Sequence, residues 1–148
     1  MFLERLILEF IFICSLIFLV FFYLRLFMNV IKLRREYKIS IGHAENIELI
    51  RAIRAHANFS EYVPLSLILS LILYFHNFLI FSCLSILLLV LGRIFHTIGI
   101  TNNQEKEENF RFRRLGMRFT IYSFYLSILG LVVYLIQTMF LFIQNHLY

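Results

Sequence analysis

The 148-residue sequence predicts an all-α integral membrane protein, a single domain built as a bundle of four transmembrane helices. Three observations predict it. Apolar residues make up 61% of the chain, above the roughly 45–50% of soluble domains, and the mean hydropathy is +0.82. Asp, Glu, Lys and Arg are absent from Phe10 to Leu24, from Tyr62 to Gly92 and from Phe119 to Tyr148, where a bilayer-crossing helix needs about 20 mainly apolar residues. The basic residues gather at two of the three connections between these stretches.

The first helix, expected over 6–31, becomes long enough once Leu6 to Leu8 are added to the first uncharged stretch. No A-x-A-like site follows its apolar core and the chain continues into Arg25 and Lys32, so it reads as a retained anchor rather than a signal peptide. The connection after it, KLRREYKISIGHAEN, has no proline and one glycine, Gly42, and reads as an ordered link. The long middle stretch is broken at His76 and Asn77, a short turn between a second helix over 47–75 and a third over 78–100. The third connection, TNNQEKEENFRFRR, opens on the helix-breaking Thr101, Asn102 and Asn103 and then carries blocks of charge, which makes it the expected mobile segment. The fourth helix follows over 115–143. All four must be helical, because extended backbone in hydrocarbon has no water to pair with, and the alternation of a membrane barrel is absent.

A net charge of +5 could indicate nucleic acid, but its distribution has a simpler cause. Arg25, Lys32, Arg34, Arg35, Lys38, Arg51 and Arg54 surround the first connection; Arg93, Lys106, Arg111, Arg113, Arg114 and Arg118 surround the third; only Arg5 is left for the other side. The positive-inside rule then places both charged connections in the cytoplasm and both termini outside. Cys14 and Cys83 fall inside predicted spans, which excludes a disulfide framework, predicts buried inert thiols and offers no metal site. Several tyrosines, Tyr148 among them, fall near predicted membrane surfaces.

The segment RAIRAHANFSEYVPL, from Arg51 to Leu65, carries the chemistry. At about 100° per residue, Arg51, Arg54, Asn58, Glu61 and Tyr62 share an arc of roughly 100° on one helix face. The opposite face, with Ala52, Ile53, Ala57 and Ser60, is small enough to admit another helix. An ionised group at mid-membrane costs about 2.5–3.5 kcal/mol, so such a group is a site hypothesis by default. Arg51 and Arg54 can snorkel to the surface, whereas Glu61 lies deeper, and the alternative for it is an ion pair with Arg54 or Arg93. Pro64 removes a hydrogen bond to the Ser60 carbonyl and is expected to bend the helix beyond the stripe. The third helix adds Arg93 and His96, three residues apart at the same depth, and the fourth opens with FRFRRLGMR, which supplies Arg113, Arg114 and Arg118. Together they describe a cationic cavity with one carboxylate, suited to a small ligand with more carboxylates than amines: glutathione, a phosphate or another acidic metabolite.

The pattern R-x-x-x-N-x-x-E-Y-x-P, here Arg54, Asn58, Glu61, Tyr62 and Pro64, resembles the second-helix signature of the membrane-associated proteins of eicosanoid and glutathione metabolism. GRIFHTIGI, from Gly92 to Ile100, and RRLGM, from Arg113 to Met117, resemble its bacterial branch. The resemblance implies a homotrimer in the bacterial inner membrane that binds glutathione between protomers and accepts a lipophilic small molecule from the bilayer. It implies that Arg54, Asn58, Glu61 and Tyr62 contact glutathione, with Arg51, Lys32, Arg93, His96 and Arg118 contributing, and that Arg113 or Arg114 activates the thiol. The prostaglandin-forming members have hydroxyl side chains at about the position of Ile100 and after the fourth-helix arginine, where this chain has Phe119, so eicosanoid synthesis is not expected.

The expected function is therefore a glutathione-dependent transferase or peroxidase acting on hydrophobic electrophiles. The alternative is a non-catalytic membrane protein whose stripe makes inter-subunit ion pairs or binds an acidic lipid or metabolite. A transport role is weaker, since Leu65 to Tyr74 and Ile121 to Met139 carry only scattered polar groups.

Overall fold

A computed structural model describes residues 2–101 and 110–147. Four helices follow in order: α1 (Phe2–Glu36), α2 (Ile47–Phe75), α3 (Leu79–Thr101) and α4 (Arg111–Leu147). All four are long and apolar enough to cross a membrane. Residues 102–109, which hold most of the connection expected to be mobile, lie outside the described residues, as does Tyr148.

The second helix has the predicted bounds and the third starts one residue late, while the outer two are longer than expected. At the start of α1 an Arg5–Glu9 ion pair of 2.8 Å spans one turn, and Arg34 and Arg35 meet the partial negative charge of its last turn, so helix continues past the apolar core. The fourth helix begins four residues early because its first turn rests on α3. It continues to Leu147 because nothing after Ile143 breaks it.

The first connection is ordered, as its composition predicts. One guanidinium nitrogen of Arg34 reaches the carbonyls of Ile39, Ser40 and Gly42 at 3.1–3.4 Å. Asn46 then caps α2 by accepting from the Leu49 amide at 2.9 Å. The Tyr37 hydroxyl donates to Glu48 at 2.6 Å, and that carboxylate raises the Tyr37 phenol above its ordinary value. Between α2 and α3, Asn77 turns the chain with φ at 64°, and His76 stacks on Tyr134 with ring centroids 4.1 Å apart.

Within the bundle, α3 packs most extensively against α4, and α2 touches all three other helices. Among the described residues α1 and α4 do not meet. The buried apolar side chains of α1 are Phe12, Leu19, Leu26 and Leu33, a seven-residue repeat that presents one narrow seam. The rest of α1 exposes Phe10, Phe21 and Leu24, as a lipid-facing surface does. Cys83 is buried, but Cys14 is exposed, which corrects the expectation for that thiol; two residues from Phe12, it is turned about 200° away from the seam.

In the half of the bundle near the His76 turn, serines on three helices converge. Ser66 meets Ser123 at 2.9 Å, Ser70 meets Ser85 at 3.1 Å, Ser85 meets Ser127 at 2.5 Å, and Ser82 donates to the Ser70 carbonyl at 2.8 Å. Each of these side chains is fully buried. In lipid, where apolar surfaces do not drive helices together, small side chains and such hydrogen bonds hold the contact. Ser85→Ala removes the hydroxyl shared by Ser70, Ser123 and Ser127 and should lower stability in detergent by about 0.6–1.7 kcal/mol. Ser60→Ala, on the surface and bonded to His56 of its own helix, should change the unfolding midpoint far less.

Candidate functional site

The buried positions of α2, including Leu49, Ala52, Ala55, Phe59, Val63, Ser66 and Ser70, define its inward direction. At about 100° per residue the polar stripe starts beside that direction and runs away from it: Tyr62 is nearest, then Arg51, Asn58 and Arg54, with Glu61 pointing almost directly outward. Burial follows that order, from partly buried Tyr62, Arg51 and Asn58 to exposed Arg54 and Glu61. The inward face thus lies about a third of a turn from the middle of the stripe, and of the small residues expected there Ala52 is buried while Ser60 is exposed. The helix assignment continues unbroken through Pro64, which lines an apolar groove of about 350 Å³ with Leu19, Tyr23 and Phe59.

The contact between α3 and α4 is made by backbone. A Cβ on Gly99 would lie 2.6 Å from the Arg113 amide nitrogen, and one on Gly116 would strike the His96 amide. Gly92 meets Thr120 and Gly116 in the same row. Hydrogen is the only side chain that allows these backbones to touch, so the glycines of GRIFHTIGI and RRLGM fix where the first turn of α4 sits. That contact sets Arg113 beside the end of α3, with His96 Nδ1 3.4 Å from the Arg113 carbonyl.

Arg93 occupies the centre of the three-helix junction and is 1% exposed. Its guanidinium donates to the Asn58 carbonyl at 3.2 Å and to the Thr120 hydroxyl, and lies 5.4 Å from the centroid of the Tyr62 ring. Arg93 makes no ion pair among the described residues, so the expected link to Glu61 is not formed. The reason is geometric: Arg93 points inward and Glu61 outward. Its position is that of a strut under Asn58 and Tyr62 rather than of a group lining a cavity.

Two adjoining cavities lie over this junction. One, of about 360 Å³, is lined by Ile50, Arg51, Arg54, Asn58, Ile100 and Arg113. The other, of about 450 Å³, is lined by Asn58, His96, Phe110, Arg113, Arg114 and Met117. They share Asn58 and Arg113 and form one groove between α2 and α4, whose walls among the described residues carry four arginines and no carboxylate. Each cavity falls in the range of about 300–1,000 Å³ common to small-ligand sites.

Of the residues singled out in the sequence, Arg51, Arg54, Asn58, His96, Arg113 and Arg114 therefore come together. Tyr62 stands at the edge through Arg93. Arg118, exposed one turn beyond Arg114, lines neither cavity. Lys32 is carried by α1, which lines a different groove facing α3. Glu61 makes no hydrogen bond or ion pair among the described residues, so the ion pair with Arg54 weighed for it is not formed either.

Sequence reasoning missed Phe110 and Met117 on the groove wall and Thr120 beneath it. For Thr120 a signal existed: Gly116, Thr120, Ser123, Ser127 and Gly130 recur every three or four residues along α4, and all are buried.

A family model described as the MAPEG family matches residues 11–140. Two relatives, each called "Inner membrane protein YecN", come from Escherichia coli strain K12 and E. coli O6:H1 strain CFT073. Each is 31% identical to this chain over 110 residues, which cover 72% of this chain and 79% of the relative. No solved structure matches.

Proposed function

The chain belongs to the MAPEG family of membrane proteins, and from that premise we propose that it is a glutathione-dependent transferase or peroxidase acting on hydrophobic electrophiles in the inner membrane. The observation that carries this reading is the groove in which Arg51 and Arg54 of α2 face Arg113 and Arg114 of α4 across Asn58. Glutathione has two carboxylates, one ammonium and a thiol. Arginine pairs offer planar, charge-assisted recognition to each carboxylate, and the Asn58 amide can bond the peptide backbone.

With four guanidinium groups to two carboxylates, the groove can also set an arginine beside the sulfur, and that supplies the chemistry. A thiol with an ordinary pKa near 8.5 is only a few per cent ionised at pH 7, and an adjacent guanidinium lowers that pKa by about 1–3 units. The thiol proton leaves to solvent and the sulfur keeps the electron pair. Attack on an aryl halide forms the C–S bond and expels halide. Attack on a hydroperoxide forms an S–O bond and releases the alcohol, and a second glutathione then gives the disulfide and water. The exposed apolar side chains that surround the bundle fit delivery of such electrophiles from the bilayer.

Among the described residues the groove offers no counterpart for the ammonium, and Glu61 and Lys32 stand outside it. In the homotrimer implied by family likeness, Glu61 turned outward on α2 and Lys32 on another protomer's α1 would complete the site. With both basic connections cytoplasmic, the groove opens on that side.

Titrating glutathione into detergent-purified protein tests the reading. Charge-assisted hydrogen bonds contribute about 1.5–3 kcal/mol, so Arg54→Ala and Glu61→Gln should each raise the dissociation constant about tenfold or more. No binding by wild type, or unchanged affinity in both variants, overturns it. A second reading is favoured by the absence of any partner for Glu61 among the described residues: the outward carboxylate makes an inter-subunit ion pair without catalysis. It predicts that Glu61→Gln dissociates oligomers equally with and without glutathione.

A further inference from the structure

We propose that the end of the groove lined by Phe110 and Met117 takes the electrophile, and that the electrophile it favours is an apolar one bearing an acidic group, held by Arg114. The assignment rests on the glutathione reading and names the second substrate of the same site.

The two adjoining cavities differ in character. The first, of about 360 Å³, has Arg51 and Arg54 on its wall, and the second, of about 450 Å³, has Phe110, Met117 and Arg114 in their place. Arg113 lines both. The start of α4 creates the second wall: Phe110, Arg113, Arg114 and Met117 follow at three, one and three residues and so share an arc of roughly 100°. The Arg114 amide donates to the Phe110 carbonyl at 2.9 Å, which fixes Phe110 one turn before it. Phe112 and Phe119, by contrast, pack on Phe95 of α3 with ring centroids 6.1 and 5.8 Å apart. The Phe110 ring makes no ring contact among the described residues and is 42% exposed. An aromatic face beside an adaptable thioether suits a flat or irregular apolar body.

Charge then selects among apolar bodies. One guanidinium holds a carboxylate through two parallel bonds, so the two carboxylates of glutathione and its thiolate need no more than three of the four arginines. Arg113, on the wall of both cavities, is placed to stand beside a sulfur that must meet both substrates. Arg114 is the one left over. It faces the apolar end alone, and among the described residues its side chain has no hydrogen bond or ion pair. A carboxylate on the electrophile supplies the missing counterpart. With an aryl chloride in this cavity, the thiolate forms the C–S bond at the ring carbon and chloride leaves with the electrons of the C–Cl bond.

The test uses full-length protein in detergent. Glutathione is titrated first and then held saturating, and para-chloro-meta-nitrobenzoate is compared with the corresponding benzamide, which keeps the ring, the nitro group and the leaving chloride and lacks the charge. With each kcat/KM divided by the uncatalysed rate, wild type should favour the benzoate about tenfold. Arg114→Gln should erase that preference, and Arg114→Lys should keep most of it. Phe110→Ala should cut kcat/KM for both electrophiles about tenfold with the glutathione dissociation constant kept, which leaves the apolar wall testable if Arg114→Gln does not fold. No binding of glutathione, or no turnover of either electrophile, overturns the glutathione-dependent reading and the proposal with it. Glutathione binding with equal catalysis of both electrophiles overturns the proposal alone. So does an equal fall for both in Arg114→Gln, which makes Arg114 a partner of glutathione itself, and so does a raised glutathione dissociation constant in Phe110→Ala, which gives that cavity to the tripeptide.

Discussion

Gly116→Leu is expected to abolish the native bundle. The leucine Cβ alone would meet the His96 backbone, which cannot step aside as a flexible side chain can. The branched end would have to enter a contact where Gly92 and Gly99 already bring α3 against Thr120 and Arg113. Overpacking of well-packed cores costs about 1–3 kcal/mol when side chains can adjust, and here backbone must separate, so the cost lies at or above the upper end. Thermal unfolding in detergent should show the cooperative transition lost or shifted far down, with helical circular dichroism largely kept, since each helix remains apolar enough to stay in a micelle. Gly116→Ala should fall between the two. An unchanged midpoint for the leucine variant would mean that α3 and α4 do not touch through backbone.

The second large effect concerns rate. Replacing Arg113 and Arg114 together by alanine should cut conjugation of an aryl halide at pH 7 by about 10–30-fold. That is the factor by which the thiolate fraction falls if the thiol returns from a depressed pKa to its ordinary value. The pH profile gives the sign. A thiol held low is ionised at neutral pH, so the wild-type rate should be nearly flat above pH 7. The variant should instead climb about tenfold per unit until the profile levels near pH 8.5. Single substitutions assign the role to Arg113 or Arg114, and lysine in place of the active one should restore much of the rate. A variant profile parallel to wild type at reduced height would place both arginines in binding rather than in ionisation of the thiol.

The four helices were legible because length and apolarity alone decide whether a segment can cross a bilayer, and asparagine and charge mark where they stop. The groove was legible in part. The spacing of Arg51, Arg54 and Asn58 puts them on one face whatever lies opposite, and the short interval from Arg93 to His96 does the same on α3. What spacing cannot give is the direction of the partner. On a helix that is apolar all round, such as α1, the seam of Phe12, Leu19, Leu26 and Leu33 looks no different from the lipid-facing phenylalanines, because lipid and protein interior select the same side chains. The errors have that cause. Arg93 was expected to line a cavity and is instead the buried strut beneath it, Glu61 was expected to face it and points outward, and Cys14 sits on the lipid side of α1. The better signal in such a chain is the period of small residues. Gly116, Thr120, Ser123 and Ser127 trace the contact face of α4, and Ser82, Ser85, Gly92 and Gly99 trace that of α3.

The position of Arg93 also governs the order in which the bundle can be built. Inserted alone, α3 would carry a guanidinium among apolar neighbours at a cost of about 2.5–3.5 kcal/mol, and only part of that is relieved when α2 offers the Asn58 carbonyl and the Tyr62 ring. A second guanidinium nitrogen finds its acceptor on Thr120, a residue of the helix made last. The groove is thus finished in the same step that seats its cation: α4 brings Thr120 to Arg93 and Arg113 to Asn58 together. A chain cut before α4 would hold three membrane spans, an incompletely satisfied charge and no site, and would be a natural substrate for membrane quality control.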